Sequence, residues 1–238
     1  MTEPAIAVLP YGSKLGKALA NRNLDDLVWP LGRPERLAQG TVASLDATDH
    51  LIIFPKTNMH FLPNLGTKAH ISPLVVEPAI IHARHLWWLR WTYRRFFKVL
   101  AFHQELLDRI PNGLFLAFGT TWVPEYKEIS VAKNKHMSLI ASGKRDYEGH
   151  ILRHDLVEYV QKKGLDVTVL GRGYAPFEAK SDGLAPYRFS VVIENIREPN
   201  YFTEKLVDAV LCETVPIYWG CPNIGDFIDT DGMIICDS

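Results

Sequence analysis

Short apolar runs alternate with amphipathic stretches along this chain. In the first half, residues 6–9, 51–54, 74–76, 98–102 and 114–118 read as strands, rich in leucine or β-branched residues. Ser13 stands where it would cap a helix running to Ala20, 28–29 reads as a short second strand, 30–48 is loop-rich, and 104–110 reads as a helix. In the second half the strand-like runs are 137–142, 165–170, 189–193, 214–218 and 233–236. Between them, Ile151, Leu152, Leu156, Tyr159 and Val160 fall at helical spacing and Gly164 ends that helix; Leu206, Val207, Val210 and Leu211 do the same after Thr203. Strands alternating with helical patterns predict an α/β protein whose parallel sheet is covered on both faces.

A change from apolar to polar composition near residues 119–135 divides this pattern, and places an N-terminal domain at 1–125 and a C-terminal domain at 126–238. A chain of 238 residues has room for two such cores. Lysine and arginine total 26 against 27 for aspartate and glutamate, a balance that gives no reason to expect nucleic acid as a partner. The cysteines, Cys212, Cys221 and Cys236, form no CxxC pair, and suggest reduced thiols in a cytoplasmic setting. Neither a signal peptide nor an apolar run long enough to span a membrane is visible. Trp87, Trp88, Trp91 and Tyr93 lie among Arg84, Arg90, Arg94 and Arg95, which fits either peripheral contact with a membrane surface or a packing helix whose arginine stems lie along apolar surface. The packing reading is the simpler. His82 and His85 lack the i,i+4 spacing of a zinc pair.

The most informative stretch runs from Tyr187 to Pro222. A buried-type strand ends in Glu194 and Asn195, a loop follows, Thr203-Glu204-Lys205 opens a helix, and a second strand closes at Trp219-Gly220-Cys221-Pro222. This is a βαβ unit, in which ligands bind beyond the carboxyl ends of strands and helix amides favour anions. Other loops carry less. Gly143-Lys144 lacks the spacing of a phosphate-binding loop, and Gly171-Arg172-Gly173 lacks the third glycine of a dinucleotide fingerprint. Lys180 belongs to a helix end or loop, with a nucleotide contact as the alternative for which the residues give no support, and Asp229-Thr230-Asp231, followed by Gly232, reads as a turn and not a metal motif.

The words IEN, YFTEKLVDA and TVPIYWGCP resemble the sugar-nucleotide-binding domain of the α-1,3/4-fucosyltransferase family, of the soluble bacterial kind, with weaker similarity back to Lys133. The resemblance implies the GT-B glycosyltransferase fold, two Rossmann-like domains facing a cleft. Family members continue with helical sequence where this chain stops at Cys236-Asp237-Ser238, which suggests either truncation at the C-terminus or a compact variant lacking the closing helix. It implies GDP-fucose as donor, a glycan hydroxyl as acceptor, inverting transfer, and no obligatory metal or cofactor; another GDP-sugar, or a non-catalytic sugar-nucleotide-binding module, is the alternative.

By the same resemblance Arg153 and Lys205 hold the diphosphate, Glu204 accepts hydrogen bonds from sugar hydroxyls, and Glu194, Asn195 and Tyr201 help hold the donor. Read from the residues alone, Arg153 could instead pair with Glu148 or Asp155 at the surface, and Glu204 and Lys205 could merely cap a helix. The family's general base is a glutamate in a Gly-Glu-Asn word of the N-terminal domain. Here Val76-Glu77-Pro78 stands at a comparable strand tip, making Glu77 the candidate base; its alternative is a helix-capping or salt-bridged carboxylate.

Overall fold

The structure, a computed structural model, describes residues 3–63 and 65–237. They form two compact units, Met1–Leu116 and Ala117–Ser238.

The first unit holds strands β1 (Ile6–Val8), β2 (His50–Ile53) and β3 (His70–Val75), helix α1 (Ala79–Thr92), β4 (Val99–Ala101), helix α2 (Gln104–Leu107) and β5 (Gly113–Phe115). All five strands are parallel and lie in chain order, β1-β2-β3-β4-β5. A sheet built in one direction contains no reversal of strand order, and hence no crevice of the kind that a reversal opens. The expected helix after Ser13 is absent. Ser13 instead accepts a hydrogen bond from Arg22, and the segment from Lys17 to Ser44 is a series of single 3₁₀ turns. Each turn buries one apolar residue, Leu19, Leu24, Leu37 or Val42, because apolar positions here are too sparse to line a longer helix face. The expected strand at 28–29 is one antiparallel bridge between Val8 and Val28.

β3 begins four residues before its expected start at Leu74. Pro73 obscures it in the sequence, since proline cannot donate to a ladder. The strand tolerates it because residues His70–Pro73 pair with β2, whereas Leu74 and Val75 pair with β4. Proline therefore sits where the pairing changes partner. At the amino end of β2, Asp49 is fully buried; it accepts from the Ala5 and Asp46 amides and forms a bidentate pair with Arg36. Burial raises its carboxyl pKa, but the Arg36 guanidinium and these amides outweigh that and hold it below the ordinary value.

The second unit holds β6 (Lys135–Ile140), α3 (Glu148–Lys163), β7 (Thr168–Leu170), β8 (Tyr187–Ile193), α4 (Glu204–Leu211), β9 (Val215–Trp219) and β10 (Ile234–Ile235). Its sheet is also parallel, but the order is β10-β9-β8-β6-β7. The chain moves one way from β6 to β7 and the other way from β8 to β10, so the order reverses between β6 and β8. Ser138 and Ser190, both buried, satisfy each other across that pair at 2.9 Å. Lys133 ties the unit's entry: its ammonium donates to the Ala185 and Cys212 carbonyls, each at 2.7 Å, and to Thr214. α3 ends as expected at Gly164, which takes a left-handed φ of 62°.

The polar change near residue 119 falls within this unit. Thr121 and the Trp122 amide donate to Asp208 of α4, and Val123 is buried in the second core. On α1, the packing reading holds for one tryptophan and fails for two. Trp88 packs on His60 and Phe61 with Arg84 over its ring, whereas Trp87 and Trp91 are 56% and 72% exposed. The inward face of that helix is His82, Leu86 and Leu89.

Candidate functional site

The reversal between β6 and β8 is where the polar residues of the second unit gather. β8 ends at Ile193, so Glu194 and Asn195 leave its carboxyl tip together. The first turn of α3 lies directly against that tip. The Gly149 amide donates to the Asn195 carbonyl at 2.9 Å, and a β-carbon on Gly149 would stand 1.7 Å from the Glu194 carbonyl oxygen. Only glycine permits this approach. One turn further along α3, Arg153 is buried; it donates to the Ile193 carbonyl at 3.2 Å and to Asn195 Oδ1 at 2.8 Å. The alternative of a surface pair with Glu148 or Asp155 is thereby excluded. Among the described residues no carboxylate lies within 4.0 Å of Arg153, although Glu194, Tyr201 and Glu204 act on it electrostatically. Burial lowers its pKa and those three groups partly offset the effect. The site thus holds a buried guanidinium whose charge no ion pair neutralises.

On the other side of the tip, Thr203 caps α4. Its hydroxyl accepts from the Lys205 amide and donates to Glu194 Oε2 at 2.7 Å, while its own amide donates to Glu194 Oε1 at 2.8 Å. Lys205 Nζ lies 3.6 Å from Glu194 Oε2, donates to Thr203 at 3.0 Å, and pairs with Glu204 at 3.1 Å. Glu194 itself has no exposed surface. Burial drives its carboxyl pKa upward, against the pull of Lys205 and the Thr203 bonds. Gly220 packs over it, because a β-carbon there would meet Glu194 Cγ at 2.5 Å. Glu194 therefore serves as a buried anchor for Thr203 and Lys205 and presents no surface to solvent. Tyr201 is likewise buried, after Asn200 at a φ of 63°. A reciprocal amide pair with Asn223 at 2.8 Å in both directions fixes that turn.

The structure thus brings five of the expected residues, Arg153, Glu194, Asn195, Glu204 and Lys205, to one strand tip, with Tyr201 beside them. It adds Lys180, the first residue of a 3₁₀ turn, whose ammonium stands 6.0 Å from the Trp122 ring. Burial depresses its pKa, and Asp208, Glu204, Lys205 and Arg153 all act on it. Nothing in the word EAKSDG signals this, since the turn reaches the site only through the fold. Among the described residues no three His, Cys, Asp or Glu side chains are grouped to hold a metal ion, and no helix is long and apolar enough to cross a membrane.

Glu77 belongs to the first unit, two residues beyond β3. Its Oε1 accepts from the Tyr11 hydroxyl at 2.8 Å. Burial and this bond push the Tyr11 pKa up to about 12, so the phenol remains a donor at neutral pH.

Residues 131–238, which include the whole strand-tip cluster, match the model of glycosyltransferase family 10 (fucosyltransferase), C-terminal part. The chain is thus similar to glycosyltransferase family 10 over 108 of its 238 residues. Over 45 residues it is 42% identical to an α-(1,3)-fucosyltransferase of Helicobacter pylori, covering 19% of this chain and 9% of that protein. Over 99 residues it is 31% identical to α-(1,3)-fucosyltransferase B of Drosophila melanogaster, covering 36% and 21%. The matched stretches therefore span less than a quarter of either relative. In fold the chain is similar to a crystal structure of an α1,3-fucosyltransferase, with a TM-score of 0.51 and 17% identity over 79% of this chain and 64% of the other. The fold is accordingly of the GT-B type, built from two Rossmann-like units.

Proposed function

We propose that the chain is an inverting glycosyltransferase that moves L-fucose from GDP-fucose to a hydroxyl of a glycan acceptor. The observation that carries the proposal is the family 10 strand tip, where a buried Arg153 with no carboxylate partner lies near Lys205 at the start of α4. A nucleoside diphosphate supplies the negative charge such a pair can neutralise, and the guanidinium fork can take two phosphate oxygens. The α4 amides favour the same anion. Glu204, its side chain largely covered and paired to Lys205, accepts from the sugar hydroxyls. Glu194 holds Thr203 and Lys205 from beneath, and Asn195 holds Arg153.

In the transfer, Glu77 takes the proton of the acceptor hydroxyl as its oxygen bonds to C1 of fucose. The bond from C1 to the phosphate oxygen breaks on the opposite face, and GDP leaves with the electron pair and its added negative charge. Arg153 and Lys205 stabilise that charge as it develops. Tyr11, donating to Glu77, orients the carboxylate.

The test is chromatographic detection of GDP released from GDP-fucose, with and without a panel of glycans. Glu77→Gln should lower acceptor-dependent release by about 10²- to 10⁴-fold while GDP still binds. Release that is unaffected by Glu77→Gln would remove Glu77 from the mechanism. Absence of release by a folded chain that binds GDP would favour a binding module instead.

A further inference from the structure

A pocket of about 280 Å³ lies wholly within the first unit, beneath Tyr11 and Gly12 and against the start of α1. Its charged and titratable lining is Lys56, His82, Arg84, His85 and Tyr11, whose hydroxyl donates to Glu77; no aspartate or glutamate lines it directly. Among the described residues the Lys56 ammonium has no hydrogen-bond or ion-pair partner. Arg84 donates to the Thr57 hydroxyl at 2.9 Å and stacks at 5.0 Å on Trp88, again without a carboxylate. His82 is nine-tenths buried, and its Nδ1 has no partner although the ring lines the cavity. A buried polar atom of this kind in a native protein calls for a partner.

We propose that this pocket is an anion-selective sugar subsite, which takes the acceptor glycan by a carboxylate or phosphate substituent. Two cations and an unpartnered imidazole converge on one small cavity, so a neutral sugar would leave their charge unanswered. The local field agrees: burial first, then His85, His103 and Lys56, depress the His82 pKa to about 4, and burial with Arg84 and Lys56 lowers that of His85. The apolar wall is suited to a sugar ring, since Tyr11 meets Phe54 edge-on at 5.0 Å. The acceptor assignment rests on the transferase reading through Tyr11, which lines the pocket and donates to Glu77. Anion selectivity does not depend on that reading.

The test is an NMR titration of the full chain at low salt with glucuronic acid, glucose 6-phosphate, glucose and inorganic phosphate. Histidine ring and tryptophan indole signals give the readout, and each sample is also titrated with GDP. The two acids should saturate the pocket, the tighter of them naming the substituent, with glucose at least about tenfold weaker. Lys56→Gln and Arg84→Gln should each weaken the acids by about tenfold, and added salt should weaken them further. Glucose binding as tightly as the acids, failure of both acids to saturate, or indifference to both substitutions would overturn the proposal. Inorganic phosphate binding as tightly as glucose 6-phosphate would overturn its sugar component. Acid selectivity in a chain that does not bind GDP would leave the subsite standing and remove the transferase reading.

Discussion

Asp49 of the first unit and Glu194 of the second are both completely buried carboxylates, and the two are treated in opposite ways. In the first unit Asp49 faces a bidentate arginine, and its charged form is stabilised beyond its value in water. In the second, Glu194 has hydrogen bonds from Thr203 but its cation, Lys205, stands back at 3.6 Å, and burial prevails. Asp49 immediately precedes β2, in a sheet whose strand order runs in one direction; Glu194 lies at the reversal of the other sheet. A fully neutralised carboxylate serves stability. At the reversal, the positive charge left for a ligand is that of Arg153, buried on α3 with no carboxylate within 4.0 Å among the described residues.

The comparison is broken most severely at Gly149. Gly149→Ala drives a β-carbon into the Glu194 carbonyl and should cost the second unit more than about 3 kcal/mol, measured by urea unfolding, with GDP binding lost. An alanine variant of ordinary stability would show that α3 does not need this approach. Next in size, Asp49→Ala should cost about 1–3 kcal/mol, because the Ala5 and Asp46 amides lose their buried acceptor while Arg36, which is exposed, keeps Asp46. Glu194→Gln should change stability by less than about 1 kcal/mol, since it removes a charge that burial already disfavours. Equal losses at the two positions would contradict the distinction drawn between them.

The pH dependence should differ in the same sense. The folded pKa of Asp49 lies below its unfolded value of about 3.9, so its stabilisation is complete above that value and lost as pH falls through the folded one. The folded pKa of Glu194 lies above its unfolded value of about 4.3, so its contribution is most favourable below that value and lost as pH rises through the folded one. Urea unfolding of Asp49→Asn and Glu194→Gln against the parent from pH 3 to 7 separates the two, because each variant should flatten a different part of the profile. The smallest effect is at the cap: Thr203→Ala should cost about 1 kcal/mol in the same assay, and Thr203→Ser should restore most of it.

Much of the second unit was legible because its signals are local. The apolar run that became β8, Thr203 before a helical face, and Gly164 after one each determine structure within a few residues. The site residues came from the words around them. What was hidden depends on contacts distant in sequence. Gly149 matters because Glu194 passes over it, and Lys180 because its turn lies near Arg153 and Lys205. In the first unit Pro73 concealed the start of β3, and isolated leucines gave the appearance of a helix where single turns formed. His82 and His85 carried no metal spacing, and their role as pocket lining with Lys56 and Arg84 required the fold.

The central claim is that the strand tip of the second unit binds a GDP-sugar through Arg153 and Lys205. Isothermal titration of the full chain with GDP, GDP-fucose and GDP-mannose tests it most directly, beside Lys205→Ala and Arg153→Lys. The account predicts that GDP-fucose binds more tightly than GDP-mannose, and that each substitution weakens GDP by about 10- to 100-fold. A folded chain that binds none of the three, or binds GDP equally well without Lys205, would contradict it.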